Sequence, residues 1–161
     1  MFRSVPLDDT HALDDFDSAQ PDLDRWLRDH ARGAEAKRTA RTFVWLDGGG
    51  RVVGYYALAA HTLSRASLPR RLGRGDPAQV PAVLLAKLAL HKDLQGRGLG
   101  AALLADALGR VLDATRAVAA RYVVVDAIDD FAADFYAHHG FEQVAALDRL
   151  VRKISDLAED R

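Results

Sequence analysis

Val80-Pro81-Ala82-Val83-Leu84-Leu85-Ala86-Lys87-Leu88-Ala89-Leu90 is followed by His91-Lys92-Asp93-Leu94 and then by Gln95-Gly96-Arg97-Gly98-Leu99-Gly100. The first run, broken only by Pro81 and Lys87, reads as a central strand. The glycine-rich turn then opens a long helix over about residues 98–119. Along it Leu104, Leu108, Val111, Leu112 and Thr115 keep the spacing of one helical face. A helix start leaves N–H groups unpaired and carries partial positive charge. Glycines let that backbone take positive φ and approach a ligand closely. Strand, turn and helix together make a pyrophosphate cradle, with Arg97 placed to add a charge-assisted contact. The same glycines would also serve a turn that merely tightens strand–helix packing.

The flanking sequence completes a mixed α/β pattern. Residues 2–5 read as a short edge strand, and residues 22–36 as a helix with Leu23, Trp26, Leu27 and His30 at helical spacing. Thr42-Phe43-Val44-Trp45-Leu46 and Val52-Val53-Gly54-Tyr55-Tyr56-Ala57-Leu58 are two strands joined by the turn Asp47-Gly48-Gly49-Gly50. Residues 64–79 read as a loop with one helical turn near Pro69. Tyr122-Val123-Val124-Val125 is a buried-type strand. Residues 130–138 form a short helix stopped by Gly140, and residues 150–154 a last strand. The expected architecture is one α/β (α+β) domain over residues 1–161, a mixed central sheet flanked by helices.

Composition narrows the chemistry. With 161 residues and 49% hydrophobic residues the chain can bury a sizeable core. It has no cysteine, so disulfides, thiolate metal sites and cysteine nucleophiles are excluded together. No apolar run reaches the ~18 residues of a membrane span, and the start lacks a signal-peptide stretch. The expectation is a soluble cytoplasmic protein with no membrane partner. Net charge is −1, but it is unevenly spread. Residues 8–24 carry seven aspartates and no Lys or Arg. Residues 25–41 carry Arg25, Arg28, Arg32, Lys37, Arg38 and Arg41 against Asp29 and Glu35, and residues 61–75 carry Arg65, Arg70, Arg71 and Arg74 with no acid. These are either solvated surface or two basic segments that meet an anionic ligand.

Other nucleotide folds fit poorly. No Lys follows the glycines as a P-loop requires. Gly96-x-Gly98-x-x-Ala101 imitates a Rossmann fingerprint, but Asp113 and Asp126 are not expected at the end of the next strand in that register.

Gln95-x-x-Gly98-x-Gly100 resembles the acetyl-CoA motif, R/Q-x-x-G-x-G/A, of the GNAT N-acetyltransferase superfamily. Asp129-x-x-Ala132-x-x-Phe135-Tyr136-x-x-x-Gly140-Phe141 is similar to that superfamily's second signature, which more often begins with Asn. A closer resemblance covers most of the chain. It rests on Asp15-Phe16-Asp17, Leu23-Asp24-Arg25-Trp26-Leu27, Arg41-Thr42-Phe43-Val44, Val53-Gly54-Tyr55-Tyr56-Ala57-Leu58 and Leu85-Ala86-Lys87-Leu88-Ala89. These stretches resemble the GNAT toxins of type II toxin–antitoxin systems, which usually have Arg where Lys87 stands.

The resemblance implies acetyl-CoA as cofactor, held by Gln95, Gly96, Arg97, Gly98, Leu99 and Gly100 with Asp129 and Phe135. It implies a backbone donor for the thioester oxygen around Leu88, Ala89 and Leu90. It implies Tyr136 as the general acid that protonates the leaving thiolate. It further implies an aminoacyl-tRNA acceptor, a ribbon-helix-helix antitoxin and a homodimer. An α-amine has a pKa of about 8, lower still when its carboxyl is esterified, which agrees with the lack of a Glu base on residues 52–60. A tRNA needs phosphate contacts, for which Arg28, Arg32, Lys37, Arg38 and Arg41 are the candidates, with Arg70, Arg71 and Arg74 second. Charge reversal at Arg38 and Arg41 is the corresponding test. An acetyltransferase acting on a small amine or a protein N-terminus, and a non-catalytic acyl-CoA-binding module, are the alternatives.

The remaining singular residues have plainer readings. His138 and His139, adjacent at a helix end, are expected to point apart, and no third ligand is evident, so no metal is expected. His61 and His91 read as polar strand-end residues. Trp26 and Trp45 read as core or interface rather than base-stacking platforms.

Overall fold

The computed structural model describes residues 2–144 and 148–159. Its elements in chain order are β1 (Arg3–Pro6), α1 (Pro21–Asp29), α2 (Ala31–Lys37), β2 (Arg41–Leu46), β3 (Val52–Ser64), α3 (Arg70–Gly73), β4 (Gln79–Leu90), α4 (Leu99–Ala114), β5 (Tyr122–Asp126), α5 (Asp130–His138), β6 (Glu142–Gln143), β7 (Arg149–Lys153) and α6 (Ile154–Glu159). The strands pair in the order β1-β2-β3-β4-β5-β7-β6, a mixed sheet as expected. No helix among the described residues is long and apolar enough to cross a membrane. Residues 1–59 with 86–107 form one compact unit, and residues 60–85 with 108–161 another.

In the first unit, β2 and β3 form the expected antiparallel hairpin, from Arg41 opposite Leu58 to Leu46 opposite Val52. Asp47 shapes its turn: the carboxylate accepts the N–H groups of Gly49 (2.9 Å) and Arg51 (3.0 Å). β1 lies antiparallel on β2. The core gathers Leu13, Phe16, Leu27, Ala31, Val44 and Tyr55 among others. Trp26 stacks on Tyr55 at 6.1 Å, and Lys87 lies 5.7 Å from the Trp26 ring centre, a cation–π contact.

The helix read over residues 22–36 is two helices. The chain turns at His30 (φ −125°), whose N–H closes the first helix on the Trp26 carbonyl at 2.9 Å. The second helix is tied to β2 by Glu35, which accepts the Thr42 N–H (2.7 Å) and pairs with Arg41 (2.7 Å). Helical spacing carries no trace of that contact.

In the second unit, β4 and β5 run parallel with Ala82–Leu84 opposite Tyr122–Val124, and β7 pairs antiparallel with β5 along five residues. The core includes Leu63, Leu68, Leu72, Val80, Tyr122 and Val151. Asp76, only 4% exposed, is held by the Tyr122 hydroxyl (2.8 Å) and the Arg121 Nε (2.5 Å). A buried carboxylate persists only when paired in this way. The loop read over residues 64–79 contains a 3-10 turn at Arg65–Ser67 besides α3.

Several boundaries differ from those expected. α4 stops at Ala114 rather than near residue 119: beyond Thr115 the Arg116 and Ala117 N–H groups bond carbonyls three residues back, those of Asp113 (3.3 Å) and Ala114 (3.2 Å), which tightens the chain out of the α-helical pattern. The last strand ends at Lys153, and Ile154, whose N–H bonds the Arg121 carbonyl at 2.8 Å, starts α6. β6 has two residues, too few for any periodicity to register.

Candidate functional site

The glycine loop is built on a braced base. His91, 4% exposed, ends β4 with its N–H on the Val53 carbonyl (2.8 Å) and caps the 3-10 turn at Lys92–Leu94 by accepting the Asp93 N–H (3.1 Å). Gln95 follows. Its side-chain amide donates to the Leu90 carbonyl (2.9 Å) and to the Ser18 carbonyl (2.8 Å). Gln95 therefore acts first as a strut that fixes the loop against the end of β4 and the N-terminal segment. Lys92 adds a second tie, its N–H to the Asp17 carbonyl (2.8 Å) and its ammonium to the Asp17 carboxylate (2.9 Å). Ser18 is in turn held by Asp24 of α1, which accepts its hydroxyl at 2.6 Å. Sequence reasoning misses Ser18 and Asp24. Their only sequence signal is an acid in the first turn of a helix, where it is common for many reasons.

Gly96 (φ 80°) and Gly98 (φ 75°) both lie in the left-handed region, and a Cβ on either would meet no atom within 4 Å. The glycines are there for backbone conformation, and the space before them is open. Among the described residues, the N–H groups of Gly96, Arg97 and Gly98 bond no backbone carbonyl. Leu99 and Gly100 then begin the 16-residue α4. Unspent donors, open space and the positive end of a long helix fit a pyrophosphate. Arg97 is exposed beside them. Leu88 is half-buried and Ala89 and Leu90 are buried at the end of β4.

In the second unit α5 presents Tyr136. Its N-cap Asp129 accepts the Ala132 N–H at 2.8 Å, so this carboxylate serves the helix start. Tyr136 is 8% exposed and packs edge-on against Phe135 (5.3 Å) and Phe141 (5.5 Å). Burial pushes its phenol well above the ordinary tyrosine range, so it keeps its proton at physiological pH. The helix ends at His138, and Gly140 follows with φ 89°. The His138 and His139 rings do not point apart. They meet edge-on with centroids 5.2 Å apart, and His139 also packs on Phe135 at 4.8 Å. A neighbour on the same helix end can thus turn its ring back when an aromatic surface is within reach.

Asp126 also departs from expectation, since it does end β5, the strand after α4. Its carboxylate is gripped at both oxygens by Arg149 of β7 (2.8 and 3.0 Å), which holds it below the usual carboxylate range. An acid engaged in that way is a cross-strand ion pair at the end of β5 rather than a ribose acceptor. His61 lies inside β3, 3.3 Å from Arg149, rather than at a strand end.

The basic residues of α1 and α2 divide into engaged and free. Arg32 donates to the carbonyls of His11 (2.6 Å) and Asp8 (3.2 Å) and lies 3.7 Å from Asp9. Arg41 is paired with Glu35, and Arg28 lies 3.6 Å from Asp29. Lys37 and Arg38 are exposed at the end of α2, Arg38 in the left-handed region (φ 60°), and neither has an ion pair among the described residues.

Comparison with known proteins gives the family. The model of the acetyltransferase (GNAT) domain matches residues 38–143. A tRNA-acetylating toxin of Mycobacterium tuberculosis (strain ATCC 25618 / H37Rv) is 40% identical over 136 residues, 84% of this chain and 81% of the relative. Among solved structures, AtaT complexed with acetyl-methionyl-tRNAfMet superposes with a TM-score of 0.90 at 26% identity, covering 99% of this chain and 98% of that one. A tyrosine-to-phenylalanine mutant of AtaT, bound to the C-terminus of the antitoxin AtaR and acetyl-CoA, superposes with a TM-score of 0.84 at 25% identity, covering 99% and 97%.

Proposed function

We propose that this chain, which belongs to the GNAT acetyltransferase family, transfers an acetyl group from acetyl-CoA to the α-amino group of an aminoacyl-tRNA and thereby acts as a toxin on translation. The observation that carries the acceptor is the 40% identity, over 84% of the chain, to a protein named a tRNA-acetylating toxin. A homodimer and a ribbon-helix-helix antitoxin belong to the same reading, and the AtaT complex with the C-terminus of its antitoxin supports an antitoxin partner.

The chain's own groups suit the reaction. The donors of Gly96 to Gly100 would hold the cofactor's pyrophosphate, and the glycine conformations keep those donors aimed outward. Acetyl-CoA supplies an activated thioester, so the amine attacks directly and no protein nucleophile is needed. Backbone N–H groups around Leu88, Ala89 and Leu90 would meet the negative charge that develops on the thioester oxygen. Tyr136 holds the proton for the departing thiolate. Burial raises the phenol, and the same dry surroundings raise the basicity of a thiolate, so the two stay matched. The acceptor amine needs only to be neutral, which an esterified amino acid achieves near pH 8 without a base.

Radiolabelled acetyl-CoA should label a charged tRNA pool and leave deacylated tRNA blank. Label absent from charged tRNA but present on a small amine or a protein N-terminus would replace the acceptor. The basic end of α2 gives a second expectation. Because Arg41 is engaged with Glu35, reversing it would also set two acids face to face, so the informative pair is Lys37→Gln with Arg38→Asn. Asn tolerates the left-handed backbone there. If both residues touch phosphates, the salt slope of tRNA affinity should flatten by roughly 0.7–0.9 per lost contact, with acetyl-CoA affinity unchanged. An unaltered slope would remove the end of α2 from the tRNA surface.

A further inference from the structure

The turn that precedes α1 holds a non-glycine residue, Ala19, in the left-handed region (φ 68°). Such a conformation is costly and persists only where its surroundings over-determine it. Ala19 is exposed, so packing does not supply the reason. Hydrogen bonds do. The Asp17 carboxylate accepts the Ala19 N–H (2.9 Å). The Asp24 carboxylate accepts the Ser18 N–H at both oxygens (3.0 and 3.2 Å) and the Ser18 hydroxyl (2.6 Å). The Ser18 oxygen accepts the Gln20 N–H in turn (3.2 Å). The N–H groups of Ser18, Ala19 and Gln20 are all drawn to side chains, which leaves the Asp17 and Ser18 carbonyls to face another segment. Both are taken up by the residues that lead into the glycine loop. The Asp17 carbonyl accepts the Lys92 N–H (2.8 Å), and the Ser18 carbonyl accepts the Gln95 side-chain amide (2.8 Å).

The sheet fixes where Asp24 stands. Tyr55 of β3 donates its hydroxyl to the Leu23 carbonyl (2.6 Å) and stacks on Trp26, and Leu27 is buried. Asp24 lies half-buried in the first turn of the helix so anchored. Its carboxylate reaches back beyond the helix start to Ser18. At the other end, both amide protons of Gln95 are committed, one to Ser18 and one to the carbonyl of Leu90, the last residue of β4 (2.9 Å). A displaced Ser18 carbonyl would release one proton and let the amide swing about the other. The start of the loop would then lose its fixed direction. Every residue in this chain of contacts belongs to the first unit.

We propose that Asp24 is a positioning residue for acetyl-CoA, acting through Ser18 on Gln95 and so on the N–H donors of the glycine loop. It sets how often those donors stand ready, and apparent affinity falls in proportion to that fraction. This rests on the glycine loop being the acetyl-CoA site and is independent of the acceptor.

The test is calorimetric acetyl-CoA binding to the full chain, for wild type, Asp24→Asn, Gln95→Met and the double variant. An amide offers one acceptor oxygen where the carboxylate offers two. Asp24→Asn should therefore raise the Kd about tenfold, the scale of one hydrogen bond to a charged group. The double variant should bind within about twofold of Gln95→Met alone, because both changes act along one path. Asp22→Asn is the control, since Asp22 shares the first turn of α1 but is exposed and pairs with Arg25; it should bind as wild type does. With charged tRNA as acceptor, Asp24→Asn should raise the acetyl-CoA KM by the same factor and keep kcat within about twofold. Effects that simply add in the double variant overturn the proposal, as does a lowered kcat at unchanged KM. A lowered Tm with a wild-type Kd makes Asp24 a purely structural residue and overturns it too. If Asp24→Asn does not fold, Ser18→Ala takes its place and should weaken binding about threefold; a wild-type Kd there counts against the proposal equally. A wild-type chain that does not bind acetyl-CoA removes the cofactor site and the proposal with it. Wild-type binding left unchanged by Asp24→Asn removes the proposal alone.

Discussion

Tyr136→Phe should lower acetyl transfer by about 10²- to 10⁴-fold, the usual contribution of a positioned proton donor, while acetyl-CoA still binds. The ring lies between Phe135 and Phe141 in a buried setting that a phenylalanine fills equally well. Only the hydroxyl is lost, so folding and packing should be untouched. Single-turnover transfer, read beside calorimetric acetyl-CoA binding, separates the two effects. Full residual turnover would return Tyr136 to the status of a core tyrosine. The pH profile adds a sign. An acid must be protonated to act, and burial moves this phenol above its ordinary range. Wild-type rate should therefore rise as the acceptor amine, esterified and so below the ordinary α-amine value of about 8, loses its proton. It should then stay level up to the pH at which the aminoacyl ester itself hydrolyses, with no descending limb from the tyrosine as it nears its ordinary value of about 10. A fall in rate between pH 9 and 10 that Tyr136→Phe abolishes would contradict the burial argument.

Gly98→Val is expected to weaken acetyl-CoA binding by at least about tenfold, since a β-branched residue in the left-handed region costs on the order of 1–2 kcal/mol and more. At φ 75° with no atom within 4 Å of the added Cβ, the penalty is conformational and not a clash. The loop can escape it only by rotating its N–H groups away from their present direction. Gly98→Asn is the matching control, because Asn enters this region more readily. Binding in the order wild type, Asn, Val supports the cradle. A valine variant that binds within twofold of wild type would show that these N–H groups do not hold the pyrophosphate.

The glycine loop and Tyr136 are legible in the sequence because their signals are local. A glycine pair ahead of a helix, and an aromatic at a fixed offset from a helix start, depend on residues only a few places apart. The fates of the charged residues depend on partners far along the chain. Arg32 is spent on the carbonyl of His11, 21 residues earlier, and Asp126 on Arg149, 23 residues later. Gln95 reaches Ser18, 77 positions away. Nothing in the neighbourhood of these residues announces such contacts, so candidates of identical composition separate into engaged and free only in three dimensions.

The amino-acid sequence by itself determined a mixed sheet with a glycine-rich loop ahead of a long helix and a tyrosine-bearing helix, because periodicity and glycine conformation are written within single elements. Only the tertiary structure decided that α1 and α2 break at His30, that Arg41 and Arg32 are committed, and that Asp24 holds Ser18 against Gln95. Those outcomes follow from which distant segments the sheet register brings together, and charge pairing acts over a few ångströms in space whatever the distance along the chain.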